Sequence, residues 1–244
     1  MSEFAILSFS DYLHGVADGE ALPSLDARLT AVSRIRYRRI DRFILLSVLG
    51  SAECAANQTL REDCGLYLGS GVGPLGSNEQ VQEQLRRDHS LPKPFHFVNT
   101  LGSAAGHYVG KNLGLTGQNL FISRLGGAFQ AALTVASADL ALGIVSQALV
   151  GAVEECMLPL DEHRRRQGLA RDLHVGEGSH WMLIEPGARS GCPTLTIQRS
   201  DAEVVAPRYE PNLPFHDSHD AARLTHWLTH RDTKRFVSGN LSVE

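Results

Sequence analysis

Cysteine is scarce in this 244-residue chain. The four present, Cys54, Cys64, Cys156 and Cys192, form no C-x-x-C pair. That spacing argues against a structural zinc site and a disulfide framework, and it reads as reduced thiols in a cytoplasmic protein. Positive charge is not in excess: the formal net charge is −4, which gives no footing for nucleic-acid binding. The opening segment, MSEFAILSFSDYLHG, lacks a basic stretch followed by a long apolar run, so it reads as a first strand over FAILSFS rather than a signal peptide. No apolar run is clean enough to cross a bilayer. Ala131 to Val153 has the required length of about 20 residues. It is interrupted, however, by Asp139, Gly143, Gln147 and Gly151, and an ionised aspartate in hydrocarbon is costly. There is no internal repeat and no low-complexity linker.

What is there alternates. Apolar periodicity predicts a helix over Ser33 to Asn57, with Ile40, Phe43, Ile44 and Leu45 on its inner face. A short strand follows at Cys64 to Gly69, then a polar helix at Asn78 to Arg87, ended by Pro92 and Pro94. A helix of small residues runs from Ser103 to Leu113 and stops at Gly114. A strand at Leu120 to Ser123 leads into a buried helix from Gly127 to about Leu142 and a buried strand from Ile144 to Val150. His180 to Ile184 and Thr194 to Ile197 read as a late hairpin, and Asp220 to His230 as a last helix. Strands alternating with helices predict a layered α/β protein with a mixed sheet.

Gly71-Val-Gly73-Pro-Leu-Gly76 matches G-x-G-x-x-G after a strand. A dinucleotide site needs the helix to start within that motif and an acidic residue to close a second strand about 20 residues on. Pro74 and the absence of that strand weigh against it. His216, His219, His226 and His230 cluster near the C-terminus, and His226 and His230 have i, i+4 spacing. No Glu stands in H-E-x-x-H order, so a solvated polar tail or an interface helix is the expectation, with no metal and no cofactor.

Several segments together resemble a β-ketoacyl synthase of the thiolase-like superfamily. They are the Leu66-Tyr-Leu-Gly-Ser-Gly-Val-Gly-Pro-Leu-Gly76 strand and turn, Ala105-Gly106-His107 with Gly114-Leu-Thr-Gly117, the run from Gly117 to Glu154, and Gly176-Glu-Gly178 followed by Ser-His-Trp-Met-Leu-Ile-Glu185. In that family a nucleophilic cysteine lies nine residues after a glycine–proline pair and seventeen before a second glycine. Counting from Gly117 and back from Gly143 reaches Gly126 both times, so the nucleophile position is vacant. The family's His-Gly-Thr and Asn-His-Gly motifs do not occur either. The resemblance covers roughly residues 4–200, the N-terminal half of the family's fold, and leaves 201–244 as an extension packed on that domain or on a partner.

The resemblance implies a thiolase-like half with a mixed five-stranded sheet flanked by helices. It also implies the role of a short chain-length factor of aryl polyene type II polyketide clusters, a non-catalytic subunit. Its partners would be an active ketosynthase and an acyl carrier protein bearing a phosphopantetheine-linked chain. Thr100, Leu101, Ser103, Ala104, Phe129 and Gln130 are the candidate tunnel or interface residues. His107 is expected to be a packed histidine. Arg34, Arg36, Arg38 and Arg39, with a second basic run at His163 to Arg166, are candidate docking sites for the acidic carrier. The rival reading is a free-standing acyltransferase or decarboxylase using Cys156 or His107.

Overall fold

The computed structural model describes residues 2–38, 40–197, 210, 212–231, 233–238 and 240–244. Its strands are β1 (Ser2–Gly15), β2 (Gly65–Ser70), β3 (Asn119–Ser123), β4 (Ala148–Glu154), β5 (Gly176–Pro186), β6 (Thr194–Ile197), β7 (Phe236–Ser238) and β8 (Leu241–Val243). The helices are α1 (Asp26–Val32), α2 (Arg42–Ala55), α3 (Leu75–Arg86), α4 (Pro94–Asn99), α5 (Gly102–Leu113), α6 (Ala128–Ala141), α7 (Leu160–Gln167) and α8 (His219–His230).

The strands form one mixed sheet in the order β3-β2-β4-β5-β1-β6-β8-β7. It has eight strands, and the expectation of five is corrected. The length of β1 is the reason. Residues from Ala5 to Gly15 pair with β5, and Ser2 to Ala5 pair on the other side with β6. The β7–β8 hairpin then extends the sheet beyond β6. For the same reason β5 and β6 are not a hairpin: β1 lies between them. The connection turns at Gly187 and Gly191, both at positive φ, and is tied to β1 by the Gly187 N–H donating to Glu3 O.

Two further boundaries move. Helix α2 starts at Arg42, because the Asp41 carboxylate accepts from the Ile44 N–H at 2.8 Å and caps it there. Residues 33–38, 40 and 41 before it are non-helical. Strand β4 begins at Ala148, four residues later than expected. Gly143 turns the chain at positive φ, Ile144 is exposed, and Asp63 holds the Ser146 N–H and hydroxyl outside the sheet.

Helices cover both faces. On one, α1, α2 and α5 bury Leu29, Phe43, Leu46, Leu49, Ala105 and Val109 against Leu66, Leu68, Leu149 and Trp181. On the other, α6 and α8 bury Phe129, Leu133, Leu224 and Leu228 against Tyr67, Val150, Met182 and Ile184. Trp181 fixes the first layer. It sits opposite Gly151 on β4, and a Cβ at Gly151 or at Gly50 of α2 would overlap its ring. Its indole N–H donates to Ser179 Oγ, whose hydroxyl donates to Leu46 O. Helix α8 is no solvated tail: His219, Asp220, Leu224, Thr225 and Leu228 are buried against β1 and β5. Asp139 stands on α6 and accepts from the buried Tyr67 hydroxyl at 2.7 Å. No helix among the described residues is long and apolar enough to cross a membrane.

Candidate functional site

Parallel strands β2, β3 and β4 end together, and their C-terminal ends carry the site. Strand β3 runs into the turn Arg124–Gly127. Gly126 and Gly127 both take positive φ, and Gly127 caps α6. Helix α6 starts hard against β2: a Cβ on Gly69 would lie 2.8 Å from Ala128 O. The turn therefore has the strand–turn–helix shape that presents a nucleophile, with a helix N-terminus that would favour an anion. Gly126 supplies no side chain. A Cβ there would meet nothing within 4 Å, so the position is open. Its N–H is already used, donating to Asp217 Oδ2 at 2.9 Å. The Asp217 carboxylate also fills the space that a Cβ on Gly71 would need.

Beneath this turn lies buried Glu154, the last residue of β4. It accepts from the Gly71 N–H at 2.5 Å, the Ser70 hydroxyl at 2.9 Å and the Ser218 hydroxyl at 2.7 Å. Burial pushes its carboxyl up to about 7 despite these donors, with Asp217 adding repulsion. Glu155 accepts from the Gly76 N–H at 2.7 Å. Burial raises it to about 8, with Asp41 and Glu177 as like-charge neighbours. Burial also raises Asp217, against the pull of the Gly126 N–H. The glycine-rich turn is thus consumed internally: Gly71 and Gly76 donate to carboxylates and Gly73 to Ser70 Oγ at 2.8 Å. With these N–H groups engaged, they are not free to cradle a phosphate, which weighs against the dinucleotide reading.

A second polar network was not legible beforehand. His180 of β5 is buried and its Nδ1 lies 2.8 Å from Asp11 Oδ1, while its Nε2 lies 3.1 Å from His216 Nε2. With Nδ1–H donated to Asp11, His180 accepts through Nε2. His216 then donates from Nε2, which leaves its Nδ1 as a buried acceptor without a partner among the described residues. Burial and the neighbouring His180 hold His216 well below its ordinary range. The Thr225 hydroxyl donates to Asp11 and ties α8 into the same network. The clustered C-terminal histidines thus divide: His216 and His219 are interior, and His226 stacks on His230 near the surface. No group of three or more metal-ligating side chains comes together among the described residues.

The thiols stay away from the turn. Cys156 is buried with Val16, Leu160 and Val175, and burial pushes it up to about 12. Cys54 and Cys64 are buried and raised to about 12 as well. His107, expected to be packed, is exposed on α5 with only an edge contact to the Tyr108 ring. Neither residue of the rival enzymatic reading is placed to act.

Thr100, Leu101, Ser103 and Ala104 lie together where α4 meets α5. Leu101 and Ser103 are exposed, and Ala104 faces the core. Phe129 and Gln130 are buried in the first turn of α6, across the sheet from them. The α4–α5 corner exposes Phe97, Val98 and Leu101, and the nucleophile turn exposes Leu125. Strand β3 is an outer strand of the sheet, hydrogen-bonded to β2 alone among the described strands.

Arg34, Arg36 and Arg38 project from the non-helical segment before α2, alternating with half-buried Ile35 and Tyr37. Arg34 and Arg36 line a groove of about 600 Å³ with Leu29, Thr30 and Tyr37. Arg39 lies outside the described residues. The second basic run is not free for docking: Arg164 is buried against Asp18, and Arg165 and Arg166 pair with Glu162.

No protein-family model matches the chain, and no curated protein does. Solved structures do. A chain of the ketosynthase (ApeO) in complex with its chain length factor (ApeC) from Xenorhabdus doucetiae superposes with a TM-score of 0.66 at 17% identity, over 100% of this chain and 98% of that one. The ishigamide ketosynthase/chain length factor gives 0.65 at 17% identity, over 81% of this chain and 66% of that one. A β-ketoacyl synthase from Burkholderia phymatum gives 0.58 at 15% identity, over 84% and 66%. The chain thus spans just under two thirds of two of these neighbours and nearly the whole of the other. Together with the strand–turn–helix around Gly126, these superpositions establish that the chain shares the fold of these ketosynthase and chain-length-factor structures.

Proposed function

We propose that this chain is a chain-length-factor-like subunit: a non-catalytic partner of an active ketosynthase in type II polyketide elongation of the aryl polyene kind. The observation that carries the reading is the Gly126 turn, which keeps the shape of a nucleophile turn and offers no nucleophile. The partner would supply the thiol and the groups that decarboxylate the extender unit, working in the cytoplasm. We read residues 1–200 as the ketosynthase-like domain and 201–244 as its extension.

The partner's place is the open edge of β3. An unpaired outer strand templates strand addition, and the exposed apolar corner of Phe97, Val98 and Leu101 calls for cover. Leu101 and Ser103 would then border the tunnel holding the growing chain, with Thr100 beside them and Ala104, Phe129 and Gln130 as inner support. The outward arginines Arg34, Arg36 and Arg38 would receive the acidic carrier protein with its phosphopantetheine arm.

Co-expression with an aryl polyene ketosynthase tests this. The two chains should co-purify, and Ser103→Trp should shorten the product while leaving the complex intact. A chain that stays monomeric at high concentration, with no ketosynthase retained, would sink the reading.

A further inference from the structure

Asp217 stands where an acyl group would have to be received. In acyl transfer, backbone N–H groups at the nucleophile turn donate to the oxygen that becomes negative in the transition state. Here the Gly126 N–H donates to Asp217 Oδ2 at 2.9 Å. Three features hold the carboxylate in place. Gly71 leaves the space it fills, since any Cβ there would overlap it. Ser218, the next residue, donates to buried Glu154 and anchors the segment from the other side. Before it, the Phe215 N–H donates to His174 O and the Gly176 N–H donates to Phe215 O, which pin the segment to the start of β5. The site at Gly126 is therefore open at the Cβ position and closed at the donor.

We propose that Asp217 is a built-in occupant of this oxyanion donor, so that the turn would stay inactive toward acyl thioesters even if a thiol were restored. The inference rests on the reading of Gly126 as the nucleophile position. It goes beyond that reading by assigning the block to a second residue 91 positions away. The charged groups near position 126 are Asp217, on its N–H, and Arg124, which precedes it in the turn; Glu154 is tied to the Asp217 segment through Ser218. The Asp217 carboxylate opposes a thiolate, and the α6 N-terminus favours one.

The test uses the full chain, fused to a solubility tag if the chain alone aggregates. Gly126→Cys is made alone, with Asp217→Asn and with Asp217→Ala. Alkylation by iodoacetamide is followed at that peptide by mass spectrometry across pH. Asparagine keeps the shape and removes the charge, whereas alanine removes both. We expect the thiol to react at least about tenfold faster at pH 7.5 in both double variants, equivalent to a thiol pKa about one unit lower. We also expect only the alanine double variant to be acylated by an N-acetylcysteamine thioester. Leu125→Cys in the same backgrounds serves as the control: its rate should stay within about twofold, as for a thiol outside the donor's reach. Equal rates at position 126 with and without Asp217 would overturn the proposal. So would a matching acceleration at position 125, which would mean that the turn had merely loosened. Neither readout needs partner binding, so a failed co-purification and a failed thiol test are separate results.

Discussion

Raising the pH from 6.5 to 8 should destabilise this fold, and the buried acids set the size of the effect. Glu154 and Glu155 are buried, with their carboxyls raised to about 7 and about 8. A group whose folded pKa is raised holds its proton longer in the folded chain than in the unfolded one. Its contribution is complete below the unfolded value and is lost as pH climbs through the folded value. Above pH 6.5 the unfolded chain has both glutamates ionised. Integrating the bound protons of the two folded glutamates over this window gives a loss of about 2 kcal/mol, the larger part from Glu155. The buried histidines offset about half of it. His163 and His219 are lowered to about 4 by burial, and His216 is lowered too. Lowered histidines add stability until the unfolded imidazoles, half protonated at pH 6.5, have lost their protons, so above 6.5 the three return about 1 kcal/mol and the net loss is about 1 kcal/mol. Below 6.5 the two sets oppose one another, so stability should peak near pH 6 to 6.5. Urea unfolding at pH 6.5, 7, 7.5 and 8 reads the curve directly. Glu155→Gln should abolish the net loss and Glu154→Gln should remove about half of it. Stability that is flat or rising over this window in the unsubstituted chain would refute the reasoning.

Trp181→Ala should cost about 3–5 kcal/mol in the same assay, because its ring fills the space that Gly50 and Gly151 leave open; a loss below about 1 kcal/mol would mean the layer repacks freely. Ser123→Pro removes an outward N–H at the end of β3, where proline is tolerated on an edge strand; it should abolish co-purification with a ketosynthase and shift unfolding by less than about 1 kcal/mol. Arg36→Glu together with Arg38→Glu should weaken cross-linking to an acyl carrier protein by tenfold or more at low salt, with the difference shrinking as salt rises. Equal cross-linking would move the carrier's docking site elsewhere.

Much of the sheet could be read from the sequence because its signals are local. Gly114 ends α5, Gly126-Gly127 opens α6, and β2, β4 and all but the end of β5 are continuous runs of buried residues. The missed strands are short: β7 and β8 have three residues each, too few for any periodicity to register. The burial of α8 was hidden for another reason. Its inner face presents His219, Asp220 and Thr225 alongside Leu224 and Leu228, and a hydropathy reading counts such a face as solvated. The polar groups become acceptable inside only through partners on remote strands, as Thr225 does by donating to Asp11. Ile144 failed the opposite way: its apolar neighbours suggested a strand, but the Gly143 turn leaves it exposed.

The site divides along the same line. The vacancy at Gly126 is a matter of counting and could be seen in the chain. What fills the vacancy could not, because Asp217 reaches it from the far end of the sequence and is an unremarkable acid among histidines. Yet the two features constrain each other. Asp217 fits only because Gly71 has no side chain, and its carboxylate holds the N–H of position 126. Restoring the thiol alone would place it beside a charge that raises its pKa, and opposite a donor already engaged. Loss of the nucleophile and closure of the donor therefore behave as one change. On the proposed reading, a subunit that needs the turn's shape and not its chemistry gains from filling the donor, since a half-buried N–H without an acceptor weakens the turn it belongs to.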